Sequence, residues 1–100
     1  MSEKSLADEL NWEYRFPELA NTPTTHYQTV KIVEEAVEIQ KAVFDWGFAS
    51  DAAIEAMDVI HAAETLLRRL EWDFGVDLDE AYAAVVAKNR ERGYYEEEDE

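Results

Sequence analysis

An all-α fold is what this chain predicts, and three observations carry that expectation. Only three glycines and two prolines punctuate its 100 residues. No run alternates polar and apolar residues for long enough to make a sheet. Apolar residues recur instead at helical spacings, in runs opened by a capping residue and closed by glycine. Hydrophobic residues make up 47% of the chain, so its composition is that of a folded domain, and its length suits one domain with a modest core.

The first 24 residues predict an arm with a short helix in it. Leu6, Leu10, Trp12, Tyr14, Phe16 and Leu19 follow no single period, and Pro17 and Pro23 limit any helix there. Residues 25–93 carry the helical domain. Thr25 and Gln28 fit the S/T-x-x-E/Q capping box, which starts a long helix near His26. Tyr27, Val30, Val33, Val37 and Phe44 trace one apolar stripe; Ala36, Ile39 and Val43 add a second, and Gly47 suits the stop. Ser50 opens the second helix with Asp51 near its positive end, and Gly75 closes it. Ile54, Met57, Ile60 or His61, Glu64 or Thr65, and Arg68 lie along roughly one row of it, and Val59, Ala62, Ala63, Leu66, Leu67 and Leu70 fill the rest. Asp77 and Glu80 open a third helix that runs to about Arg92, before Gly93. Residues 94–100 predict a solvated acidic tail, expected to be disordered. Helices apolar on two faces need more neighbours than three helices supply, so the expected architecture is an antiparallel helical bundle completed by oligomerisation.

The formal net charge is −15, and removing the five negatives of Glu96 to Glu100 still leaves −10. Such a chain repels phosphate polymers, which argues against nucleic-acid binding. No stretch approaches the ~18 apolar residues of a membrane span. Without cysteine there is no disulfide framework and no thiolate metal site. The N-terminus lacks the basic and apolar regions of a secretion signal. The expected compartment is the cytoplasm.

The most informative feature is a set of five carboxylates in two clusters. Glu34, Glu35 and Glu38 form E-E-x-x-E; sixteen residues later Glu55 and Asp58 form E-x-x-D. Residues three or four apart share a helix face, with Cβ atoms roughly 5–6 Å apart. Two helices joined by a short turn bring the clusters face to face, where they repel unless a cation lies between them. A hard divalent cation prefers such oxygens. The plain alternative is a solvated helix face, since glutamate is a good helix former. Against it, Glu55 and Asp58 stand among Ile54, Ala56, Met57, Val59 and Ile60, and acids in apolar company are costly without a cation. Lys31, one turn before Glu35, serves part of that need. His61 follows Asp58 by three residues and reads as a satisfied core histidine or a supporting neighbour of the metal. With no His-x-x-x-His pairing and no cysteine, zinc is disfavoured.

E-E-x-x-E followed by E-x-x-D on the next helix resembles the MazG-like branch of the all-α nucleoside triphosphate pyrophosphohydrolases, relatives of the dimeric dUTPases, dCTP pyrophosphatases and phosphoribosyl-ATP pyrophosphohydrolases. The resemblance covers about Tyr27 to Tyr94. Lys88 to Tyr94 is also similar to that branch's K-N-x-x-R-G-[YF] segment. The resemblance implies Mg²⁺, with Mn²⁺ as a substitute, held by Glu35, Glu38, Glu55 and Asp58. It implies that Glu34 holds a second metal or orients the attacking water, while a free carboxylate such as Glu38 accepts the proton. The implied reaction cleaves a nucleoside triphosphate between its α and β phosphates, giving a monophosphate and pyrophosphate. Lys88, Asn89 and Arg92 match the late basic segment, with Tyr94 closing it; Lys31 is a phosphate-binding candidate by position only. Basic residues at a helix C-terminus are equally explained by the helix dipole. For the base, Trp12 or Phe16 of the arm is a candidate surface, although most of the aromatic residues suit a core or an interface. The implied assembly is a homodimer or a dimer of dimers. Beside the enzyme reading stand a non-catalytic helical interaction module and a nucleotide or cation sensor without turnover.

Overall fold

The structure is a computed structural model that describes residues 11–44 and 49–95. Among the described residues every regular element is helical: α1 (Thr25–Phe44), α2 (Ala49–Phe74) and α3 (Leu78–Glu91). The expected stop at Gly47, the residues before 11 and the acidic run from Glu96 lie outside them. No described helix is long and apolar enough to cross a membrane. The described chain forms two compact units, one of Tyr14–Gly75 and one of residues 11–13 with 76–95. The larger holds α1 and α2, the smaller α3.

The helix boundaries follow from local chemistry, with two corrections. The first cap is Thr24, not Thr25: the Tyr27 backbone N–H donates to Thr24 Oγ1 at 3.2 Å, and the Gln28 N–H donates to the Thr24 carbonyl at 2.9 Å. Gln28 is therefore no capping-box partner, and its side chain is spent elsewhere. Ser50 lies inside α2, which begins one residue earlier, while Asp51 sits in the first turn as expected. At the other end of α2, Gly75 adopts φ 67 and its N–H closes on the Glu71 carbonyl at 3.1 Å. This left-handed turn favours glycine because it has no Cβ.

In the larger unit α1 and α2 pack together. Gln28 meets Ala62 and Glu35 meets Glu55 and Asp58, so the pair is antiparallel. What this unit buries most deeply is largely polar: Gln28, Glu64, Thr65 and Arg68 join Ala62. The expected apolar fillers Val59, Leu66, Leu67 and Leu70 are only half-buried. The α1 stripe faces outward: Val33 is 64% exposed, and Tyr27, Val30, Val37 and Phe44 are exposed too, as are Ile54, Met57 and Ile60 on α2.

In the smaller unit Asp77 caps α3, accepting from the Glu80 N–H at 3.1 Å. Trp12 donates its backbone N–H to Asp79 and packs its ring 5.9 Å from Tyr82. The helix ends in a Schellman turn: the Tyr94 N–H bonds the Asn89 carbonyl and the Gly93 N–H bonds the Arg90 carbonyl, each at 3.0 Å, with Gly93 at φ 76. The glycine of the K-N-x-x-R-G-Y segment thus has a structural use as a helix stop.

Candidate metal centre and adjoining cavity

Antiparallel packing turns the spacing of the acids into a convergent group. One carboxylate oxygen from each of Glu35, Glu55 and Asp58 lies within 4.8 Å of the other two. Glu35 comes from α1; Glu55 and Asp58 come from one face of α2, three residues apart. The donors are all hard oxygen, which suits Mg²⁺ or Mn²⁺. The electrostatics agree with that fit. Glu55 is held above the ordinary carboxylate range, first by loss of solvent around it and then by the charges of Asp58, Glu35, Glu38 and Asp51.

Two of the motif's acids stand differently. Glu38 is exposed, with its carboxylate 3.6 Å from Lys41 Nζ, and it is not one of the three convergent groups. It is still near enough to bear on Glu55. Glu34 is exposed on α1. Lys31 Nζ lies 3.0 Å from Glu35, and that hydrogen-bonded pairing raises the lysine above its ordinary value. Lys31 therefore supplies part of the compensation for Glu35. Trp12, Lys88, Asn89, Arg92 and Tyr94 belong to the smaller unit, where Asn89 is half-buried and Lys88, Arg92 and Tyr94 are exposed.

Beside the carboxylates the larger unit opens a cavity of about 350 Å³. Glu35, Asp58 and Lys31 stand on its wall with His61 and Gln28, and Leu19, Asn21 and Pro23 enclose it from the arm. Its volume is within the range of small-molecule sites, roughly 300–1,000 Å³.

The arm is held by charged residues whose role the sequence did not announce. Glu64, only 2% exposed, accepts the Arg15 backbone N–H on both oxygens (3.1 and 2.9 Å) and the Phe16 N–H on one (2.9 Å). Arg68 Nη2 donates to the Phe16 carbonyl at 2.9 Å, and its guanidinium lies 4.0 Å over the Tyr14 ring. The Tyr14 hydroxyl donates to Glu71 at 3.0 Å, and the Phe16 ring stacks on His61 at 5.0 Å. Partial burial, then the Glu71 hydrogen bond and charge, push the Tyr14 phenol up to about 12. His61, Glu64, Arg68 and Glu71 thus form one face of α2 that receives Tyr14–Phe16. His61 is not the satisfied histidine expected, since its buried Nε2 finds no hydrogen-bond partner among the described residues.

A comparison with protein-family models finds no match, and neither do comparisons with curated proteins or with solved structures.

Proposed function

We propose that the chain is a Mg²⁺-dependent nucleoside triphosphate pyrophosphohydrolase that releases a nucleoside monophosphate and pyrophosphate. The observation that carries this reading is the convergence of Glu35, Glu55 and Asp58 from two helices on the rim of a cavity. When bound, the cation would neutralise phosphate charge and acidify a coordinated water. Glu35, Glu55 and Asp58 are assigned to hold it, with Glu38 able to join once it leaves Lys41. Exposed Glu38, one turn from Glu35, is the carboxylate assigned to take the proton of the attacking water, and Glu34 is assigned to orient that water or hold a second ion. With Glu35 engaged as a ligand, Lys31 is released to a phosphate oxygen. Lys88, Asn89, Arg92, Tyr94 and Trp12 remain proposed contacts on resemblance alone. The cytoplasm is the proposed compartment.

A second copy of the chain is the proposed cover for the outward apolar residues of α1 and α2, as a homodimer or a dimer of dimers. The same exposed residues favour the second reading, a non-catalytic helical interaction module. Incubation with Mg²⁺ and each common nucleoside triphosphate separates the two. Pyrophosphate as the phosphate product supports the enzyme. No turnover with any substrate turns the assignment to the interaction module, and orthophosphate alone removes the pyrophosphohydrolase assignment.

A further inference from the structure

Gln28 is the most deeply buried residue on the cavity wall that carries a hydrogen-bonding amide. It is 2% exposed, and its Nε2 donates to the Ala62 carbonyl at 2.8 Å. A carbonyl can only accept, so this bond fixes which end of the amide is which. The amide oxygen is left pointing away from Ala62. Oε1 makes no hydrogen bond among the described residues, and it is not one of the sealed polar atoms. Gln28 lines the cavity, and the bond to Ala62 sets the direction of its amide in advance.

Gln28 stands seven residues before Glu35 on α1, with Lys31 between them. At 1.5 Å rise per residue the separation along the helix is ~10.5 Å. A nucleoside triphosphate with its phosphates at the carboxylates and Lys31 would extend its base toward Gln28. There the Tyr27 and Pro23 side chains offer apolar surface for the faces of a planar ring.

We infer that Gln28 is the base-reading residue of the cavity, accepting on Oε1 an N–H donated by the nucleobase. This rests on the proposed reading that the cavity takes a nucleoside triphosphate, and it adds the residue that recognises the base. The cross-helix bond to Ala62 makes Gln28 preoriented, so the contact needs little side-chain ordering on binding. A bare triphosphate gains nothing from it.

The test pairs two substrates with one variant. Gln28→Met keeps the length of the side chain and removes the acceptor together with the donor to Ala62. With the best nucleoside triphosphate it should raise KM about three- to tenfold, the effect of one neutral hydrogen bond. With base-free ribose 5-triphosphate, which reports only the loss of the Ala62 bond, KM should rise clearly less. An equal change for both substrates, or no change for either, overturns the assignment. The second arm uses the wild-type chain, which has two glutamines, Gln28 and Gln40. Adding the α,β-methylene analogue of that nucleotide with Mg²⁺ should shift the Gln28 side-chain amide resonances and leave those of Gln40 in place. An unmoved Gln28 overturns the inference even where Gln28→Met fails to fold. A moved Gln28 in a chain that releases no pyrophosphate keeps the base contact and removes the enzyme reading.

Discussion

Replacing Glu64 with leucine should detach the arm, and the size of the effect follows from the contacts Glu64 makes. Its carboxylate accepts from two backbone amides, Arg15 and Phe16, at 2.9–3.1 Å while almost sealed from water. Hydrogen bonds to a charged group contribute roughly 1.5–3 kcal/mol each. The released arm recovers part of that by hydrating its two N–H groups, so the expected net loss is about 3 kcal/mol. For a chain of this length each kcal/mol moves Tm by about 4–8 °C, which places the shift on the order of 15 °C. Glu64→Gln retains one acceptor oxygen and should lose about 1 kcal/mol. Urea unfolding followed by circular dichroism at 222 nm reads the stability. The Tyr14 phenol gives the independent sign of detachment: it should fall from about 12 toward its ordinary 10.0, because its bond to Glu71 depends on the docked arm. A leucine variant that loses less than about 1 kcal/mol, or one that leaves Tyr14 where it was, refutes the clamp.

Three further outcomes follow from the same contacts. Glu55 has a folded pKa above its ordinary 4.5, so the folded chain binds that proton more tightly than the unfolded chain. The associated stability is full below 4.5 and is lost as pH rises through the raised value; urea midpoints across this range should show the loss in the wild type, and Glu55→Gln should flatten it. Millimolar Mg²⁺ should restore stability to the wild type at neutral pH and do nothing for Glu55→Gln, since a ligand stabilises only the state that binds it. For Tyr14 the sign is again that of a raised pKa, with stability present below 10.0 and lost as pH climbs through about 12; in Glu71→Gln, ultraviolet titration should find the phenol ionising earlier.

What the sequence made legible was whatever local spacing controls. Asp77 as a cap and Gly75 as a stop both lie where a few neighbouring residues decide the backbone. The three convergent acids were legible because i, i+3 spacing fixes a face and a short connection brings two faces together. The first cap was misread by one residue because Thr24 and Thr25 offer the same hydroxyl, and only the backbone chooses between them. Gln28 fitted a local box, but its partner is the Ala62 carbonyl, 34 residues away. Glu64 and Arg68 were harder still. Their partners are the main-chain groups of Arg15 and Phe16, 48 to 52 residues away, and backbone amides leave no mark in a sequence. Charged Glu64 and Arg68 continuing a row that begins with Ile54 and Met57 were the available signal, since such groups are seldom placed there without a partner.

The most direct test of the account is a titration of the wild-type chain with Mn²⁺, followed by electron paramagnetic resonance and repeated in competition with Mg²⁺. The account predicts a bound ion that Mg²⁺ displaces, lost in Asp58→Asn and in Glu35→Gln while both variants keep their helicity. Binding left intact by both substitutions, or no binding to the wild type, would contradict the claim that α1 and α2 aim their carboxylates at one cation.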